Sequence, residues 1–350
     1  MELPRNSSPE VLRGALRQQV LDVTSASFEE TALRVFRYQA RYNPVYNAYL
    51  SHLRIHPDSP QRLTEVPFLP IQFFKNHTIQ TGHPSGAAIL FESSGTTGTV
   101  TSRHALYDTS LYQLISERIF EQYYGPLNNF HVLALLPSYL ERNNSSLVYM
   151  ARHFIEKTAS SYSGFYLYDT GALTRQLRSL ARLSDGRKVL VLGVTFALLD
   201  WAESLHDTAF LRDLPELIVM ETGGMKGRRR EMLREEVHDQ LTSHLPIRDI
   251  HSEYGMTELL SQGYSPGQGL FRSGYTMQIL IRETNDPFAI KEQGTFYRTG
   301  GINVVDLANL DSCSFIETQD LGRLGTEPGT FYVMGRFDNS DIRGCNLMAL

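Results

Sequence analysis

From Gly86 to Gly263, apolar runs of strand length alternate with longer segments of helical character, and this alternation constrains the fold more than any other feature of the chain. Ala87–Phe91, Val132–Leu136, Phe165–Tyr168, Val189–Leu192 and Leu217–Met220 read as strands. Between or after them, Thr109–Tyr123 behind the capping residue Asp108, Ser145–Lys157, Ala172–Leu183, Ala197–Leu205 and Arg228–Leu245 read as helices. The rhythm predicts an α/β fold, a largely parallel sheet covered by helices on both faces.

The flanks differ. Up to about Thr81 the chain looks helical; Ser27-Phe28-Glu29-Glu30 opens a run with Ala32, Leu33, Val35, Phe36 and Ala40 at helical spacing. Pro67–Lys75 carries two prolines and three phenylalanines, so it reads as a connector laid against the next unit. After Gly263 the helices stop. Met277–Arg282, Thr295–Arg298, Ile302–Leu307 and Phe331–Met334 read as strands of a smaller β-rich subdomain. The expected organisation is a helical segment over 1–85, an α/β core over 86–263, a β-rich subdomain over 264–334 and a hinge-like tail over 335–350.

Of the 350 residues, 41% are apolar and 20% charged, which suits a packed core. The net charge of −5 argues against nucleic acid as a partner and leaves any phosphate site to backbone N–H groups and a few cations. No apolar run is long enough to span a bilayer, and no basic segment followed by an apolar one opens the chain, so no leader is expected. Cys313 and Cys345 are the two cysteines, too few for a disulfide framework, and a cytoplasmic location is the simpler expectation.

The chemistry-bearing segment is Ser93-Ser94-Gly95-Thr96-Thr97-Gly98, which follows an expected strand. Its glycines let backbone N–H groups turn toward an anion and its hydroxyls add donors, which suits a triphosphate. A polar turn is the alternative for these six residues taken alone. Arg103 offers a cation nearby. No Gly-x-x-x-x-Gly-Lys-Ser/Thr loop occurs in the chain.

Further motifs follow in order: His251-Ser252-Glu253-Tyr254-Gly255-Met256-Thr257-Glu258, Asp306 at a strand end, Gly335-Arg336-Phe337-Asp338 and Ile342-Arg343-Gly344. With the Ser93–Gly98 loop they resemble the adenylate-forming superfamily of acyl-CoA synthetases, luciferases and peptide-synthetase adenylation domains. Pro67–Lys75, Leu133–Arg142, Asp306–Leu310 and Gly344-Cys345-Asn346 resemble, more closely, the acyl-protein synthetases of bacterial bioluminescence operons.

The resemblance implies the N-terminal domain fold of acyl-CoA synthetases without their large C-terminal lid, and ATP and Mg²⁺ as cofactors. It implies activation of a carboxylic acid, a fatty acid above all, as an acyl-adenylate. The acyl group would then pass to Cys345 and on to a partner such as a reductase or a carrier protein. Thr257 would meet the phosphate of AMP, Glu258 the metal, Tyr254 the adenine ring, and Thr222-Gly223-Gly224 the edge of the base. Asp306 would accept the ribose hydroxyls, and Arg336 would reach the sugar or phosphate. The cation supplied elsewhere by the lid is unassigned, with Arg103 and Lys226 as candidates. Two alternatives stay open: a compact acyl- or aryl-CoA ligase using free CoA, and a nucleotide-binding interaction protein without chemistry.

Overall fold

The computed structural model describes residues 8–82, 86–93, 101–136, 144–183, 185–223, 229–230, 232–291 and 298–337. Three helices lead: α1 (Pro9–Leu21), α2 (Phe28–Tyr42) and α3 (Pro44–His52). Proline at the first turn follows a capping side chain in two of them. Ser8 accepts from Val11 N at the head of α1, and Asn43 from Tyr46 N at the head of α3. The connector then lies against the sheet as expected. Its two-residue strand β1 (Leu69–Pro70) pairs in parallel with Ile316 and Glu317, and Phe74 of the short helix α4 (Phe73–Asn76) is fully buried.

Next come β2 (Ile89–Glu92), β3 (Arg103–Leu106), α5 (Thr109–Tyr124), β4 (Phe130–Leu135), α6 (Ser146–Thr158), β5 (Gly164–Phe165), α7 (Thr170–Leu180), β6 (Lys188–Val194), α8 (Thr195–Ser204), β7 (Leu217–Thr222), α9 (Arg234–His244) and β8 (His251–Tyr254). Asp108, Ser145 and Asp169 cap α5, α6 and α7 through their side chains. The remaining strands are β9 (Gly263–Ser265), β10 (Leu270–Ser273), β11 (Met277–Arg282), β12 (Gly300–Asp306), β13 (Phe315–Leu324) and β14 (Thr330–Arg336).

Among the described residues one twelve-stranded sheet organises the chain, in the order β11-β12-β13-β14-β10-β9-β8-β7-β6-β4-β5, with β1 beside β13. From β5 to β8 the neighbours are parallel, and from β8 onward antiparallel. The expected α/β architecture is therefore present, and the β-rich part continues the same sheet. In β6, Val189 to Val194 are all buried, as a parallel strand covered on both faces requires.

Two expectations need correction. The strand expected at Ala87–Phe91 is Ile89–Glu92, and among the described residues it pairs only with β3, in a separate antiparallel ribbon. The helix expected from Arg228 begins at Arg234, where Glu236 Oε2 accepts a hydrogen bond of 2.9 Å from Leu233 N. The strand expected over Thr295–Arg298 falls mostly outside the described residues. No helix of the described residues is long and apolar enough to cross a membrane.

Candidate active site

Ligands of open α/β sheets bind beyond the carboxyl ends of the parallel strands. Here those ends are Thr222 on β7 and Tyr254 on β8, which lie on adjacent strands. Gly223 follows β7, exposed and with φ +75, a left-handed conformation that glycine adopts without strain. Thr222 is buried, and its hydroxyl donates to the Glu253 carboxylate.

The ribbon β2–β3 brings the expected phosphate loop to this edge. Glu92 pairs with Arg103, and beyond that pair Ser93 N donates to Ser102 O at 3.0 Å while Ser93 Oγ accepts from Ser102 N at 2.9 Å. The loop is thus pinched shut at its base. Ser94, Gly95, Thr96, Thr97 and Gly98 lie outside the described residues.

The base of the loop rests on the segment after β8. Ser102 hydrogen-bonds the Glu258 carboxyl, whose burial raises its pKa against the pull of that bond. His104 Nδ1 donates to the Thr257 carbonyl at 2.9 Å, and its Nε2 accepts from Ser312 Oγ at 3.0 Å. Full burial holds that imidazole neutral, its pKa lowered to about 4 although the Thr257 bond opposes the shift. Ser93 is thus linked through Ser102 to Glu258, and His104 holds the Thr257 backbone beside them.

Arg103 does not join them. Successive side chains on a strand point to opposite faces, and with Ser102 and His104 buried against 257–258, Arg103 is exposed. Lys226 and Gly224 lie outside the described residues, as does Cys345.

The ribose assignment also changes. Asp306 is completely buried, and its carboxylate accepts from Leu260 N (2.7 Å), Ser261 N (3.0 Å), Ser261 Oγ (2.6 Å) and Ala308 N (3.0 Å). Those four donors make it a structural brace with no capacity left for a sugar.

A different acid, Asp320 on β13, stands at the edge. It pairs across the hairpin with Arg336, Nε to Oδ1 at 3.4 Å, and accepts the Tyr254 hydroxyl at 2.8 Å. Burial raises its pKa against the opposing effects of Tyr254 and Arg336. Arg336 is 68% exposed at its side chain, so one partner of the pair faces solvent. Asp320 and Arg336 also both act on the charge of Glu258, which places the two clusters side by side.

Tyr254 itself is a core residue. It is 7% exposed, meets Phe271 and Phe331 edge-on, and ends on Asp320. That arrangement leaves it little ring surface for a base, which does not suit the adenine stack implied for it. The sequence reading missed Asp320, Ser102, His104 and Glu253. Asp320 had a usable signal: it is an acid on a strand whose hairpin partner carries Arg336. The others are visible only through their contacts.

One further element supports this edge from below. Glu221, buried on β7, accepts from Arg234 Nε at 3.2 Å and from Thr195 Oγ1 at 3.2 Å. Burial alone would raise its pKa, but His238, Arg234 and Ser252 together lower it. Arg234 also lies over the Phe271 ring, 4.8 Å from its centre, and so ties α9 to the aromatic floor beneath Tyr254.

No protein-family model matches the chain, and no curated protein matches it by sequence. Solved structures do match it. A crystal structure of 2-hydroxyisobutyryl-CoA ligase in the postadenylation state, in complex with 2-HIB-AMP, is similar over 97% of this chain and 72% of that one, at 11% identity and a TM-score of 0.60. An open conformation of the same ligase, with 2-HIB-AMP and CoA, is similar over 98% of this chain and 82% of that one, at 13% identity and a TM-score of 0.61. At such identities the likeness establishes the fold alone, the acyl-CoA synthetase-like fold those structures have.

Proposed function

We propose that the protein uses ATP to activate a carboxylic acid as an acyl-adenylate. The observation that carries this reading is the contact between the pinched base of the Ser93–Gly98 loop and Thr257–Glu258, beside the Asp320–Arg336 pair. It sets the base of a loop rich in anion-binding groups beside the Glu258 carboxyl and near a buried acid paired with an exposed arginine. The fold shared with a ligase whose structures hold an acyl-AMP supports the same reading.

In this proposal the loop's backbone N–H groups and hydroxyls bind the triphosphate. Asp320, in place of Asp306, accepts the ribose hydroxyls, and Arg336 lies beside the sugar and phosphate. Thr222 and Gly223 flank the base, where Gly223 permits a close approach. An oxygen of the substrate carboxylate attacks the α-phosphorus, the bond to the β-phosphate oxygen breaks, and pyrophosphate leaves. The chain contributes in-line positioning and charge stabilisation.

Glu258 fits a magnesium ion as one hard oxygen ligand completed by phosphate oxygens and water. Among the described residues no cluster of three or more His, Cys, Asp or Glu forms a dedicated cage. When bound, the ion would neutralise triphosphate charge.

For the acyl acceptor we propose Cys345, with onward transfer to a partner protein such as a reductase or carrier. Cys313 is unsuited: it is completely buried, and burial pushes its thiol up to about 12. A second reading, free CoA as acceptor, is favoured by the similar structures, which are of a CoA ligase and include CoA complexes.

The test is carboxylate-dependent exchange of labelled pyrophosphate into ATP. Exchange supports the proposal; ATP binding without exchange across a broad acid panel would reduce the protein to a nucleotide-binding module. With a labelled acid, a hydroxylamine-sensitive protein label that disappears in Cys345→Ala assigns the internal acceptor. Turnover with CoA in that same variant assigns free CoA instead.

A further inference from the structure

The stretch between β8 and β9 carries Thr257 and Glu258 yet lies outside the strands and helices, so no ladder fixes its course. Its own turn bond runs from Leu259 N to Met256 O at 3.1 Å. Side chains from distant parts of the chain hold it further. His104 Nδ1 donates to the Thr257 carbonyl at 2.9 Å, and Asn309 Nδ2 donates to the Glu258 carbonyl at 2.8 Å. Asp306 then accepts from Leu260 N and Ser261 N. A carbonyl only accepts, so the His104 ring carries its proton on Nδ1 and its Nε2 takes the Ser312 hydroxyl.

The two donors are joined behind the site. Asn309 ends the single-turn helix Leu307–Asn309, which Asp306 caps, and Ser312 N returns to Asn309 O at 3.1 Å. Ser312 O accepts from Asn43 Nδ2 at 2.9 Å and from the Thr81 hydroxyl. Phe74 of the connector meets the His104 ring edge-on, 5.5 Å between ring centres. His104 and Asn309 are both buried, and the N-terminal helices and the connector brace them through these contacts.

A buried carbonyl needs a donor wherever it lies, and that need alone assigns no role. What singles out His104 is the segment that carries it. It stands two residues after Ser102, on the arm that closes the base of the Ser93–Gly98 loop, and Ser102 bonds the Glu258 carboxyl. Residues two apart on an extended arm share a face and a fixed spacing. One arm therefore sets the loop base, the Glu258 carboxyl and the Thr257 backbone in register.

We propose that His104 and Asn309 are positioning residues for adenylation. By holding the carbonyls of 257 and 258 they fix the Thr257 hydroxyl and the Glu258 carboxyl against the phosphate loop, without touching the reacting atoms. This inference rests on the acid-activating reading above and deepens it by naming what keeps its two motifs in register. A displacement of about 1 Å at a catalytic group costs on the order of 100-fold in rate.

The experiment separates placement from packing. In His104→Asn the amide nitrogen takes nearly the place of Nδ1 and still reaches the Thr257 carbonyl; in His104→Gln it takes nearly the place of Nε2 and does not. Asn309→Leu keeps the side-chain volume and removes the donor to Glu258. Pyrophosphate exchange gives kcat and the KM values for ATP and acid, calorimetry gives ATP affinity with and without Mg²⁺, and urea titration gives stability.

His104→Gln and Asn309→Leu should lower the exchange kcat at least about 10-fold while the KM for the acid stays within about 2-fold. Both should weaken ATP binding more with Mg²⁺ than without it. His104→Asn should restore exchange to within about 3-fold of wild type while being no more stable than His104→Gln. The inference is overturned if exchange in the two His104 variants falls in step with stability, as a purely structural histidine would have it. Should His104→Gln fail to fold, Asn309→Leu carries the test, and a wild-type kcat there overturns the inference. If the wild type binds ATP with Mg²⁺ but no acid supports exchange, and His104→Gln weakens that binding while His104→Asn restores it, the positioning role stands and the adenylation reading falls. If the wild type neither exchanges nor binds nucleotide, both fall.

Discussion

Asp320 and Arg336 face one another across the β13–β14 hairpin, Nε to Oδ1 at 3.4 Å, with the carboxylate buried and the guanidinium largely in solvent. The buried acid is held in place by the Tyr254 hydroxyl, so its second oxygen and the exposed end of Arg336 are the groups presented at the edge. The same edge contains Thr257 and Glu258, and it is the edge to which the proposal assigns the nucleotide.

The two aspartates make opposite predictions. Asp320→Asn should weaken ATP binding by an order of magnitude or more in a nucleotide titration, with a small change in stability. Asp306→Ala strips the partner from three backbone N–H groups and one hydroxyl. It should lower the unfolding free energy by about 3 kcal/mol in urea titrations. Retention of full ATP affinity by Asp320→Asn would return the ribose role to another residue.

Arg336→Ala tests the exposed half of the pair. With a side chain 68% exposed, its loss should change stability by no more than about 1 kcal/mol. ATP affinity and exchange should fall nonetheless, with the exchange defect persisting at saturating acid. A variant that unfolds readily would mean that the arginine braces the hairpin instead.

Gly255 and Glu253 should be coupled. A methyl at 255 would collide with Glu253 Oε1, so Gly255→Ala should destabilise the protein. Shortening the acid relieves the clash: the double variant Gly255→Ala/Glu253→Ala should be more stable than the sum of the two single effects predicts. A double-mutant cycle in urea reads the coupling directly, and strict additivity would contradict the geometry.

Two buried groups bend the stability–pH curve in opposite directions. Glu253 is raised from 4.5 to about 7, so the folded chain holds its proton more tightly than the unfolded chain between those values. The stability linked to that proton is complete below 4.5 and is lost as pH rises through 7. Glu253→Gln, which cannot ionise, should therefore gain in Tm relative to wild type between pH 5 and pH 8. His104 is lowered from 6.5 to about 4, so the unfolded chain binds its proton more tightly. Stability linked to the neutral imidazole is complete above 6.5 and is lost as pH falls toward 4. His104→Gln should flatten that acid limb. Thermal melts of the three proteins from pH 4 to pH 8 check both signs.

Much of the fold was legible before any coordinates. Alternating apolar runs and amphipathic segments placed the parallel strands β4, β6 and β7, and Asp108 caps α5 as its position suggests. These features are legible because periodicity and capping depend on neighbours a few residues away. The Ser93–Gly98 loop, Thr257 and Glu258 could be nominated for a related reason: each belongs to a compact run whose chemistry is local.

Only the tertiary structure decided how the two aspartates and the tyrosine are used. Asp306 and Asp320 both sit on strands, and nothing within a few residues of either tells a saturated brace from an acid at an open edge. The difference lies in donors from Leu260 and Ser261 for the first, and from Tyr254 and Arg336 for the second. Tyr254 reads as an exposed stacking ring until β10 and β14 bring Phe271 and Phe331 against it. Glu253 reads as an ordinary polar residue until β7, β9 and Gly255 surround it. Sequence determined which chemical groups the chain carries and the order of its elements. Burial and hydrogen-bond saturation, which are set by residues far apart in the chain, determined which of those groups remain free to act.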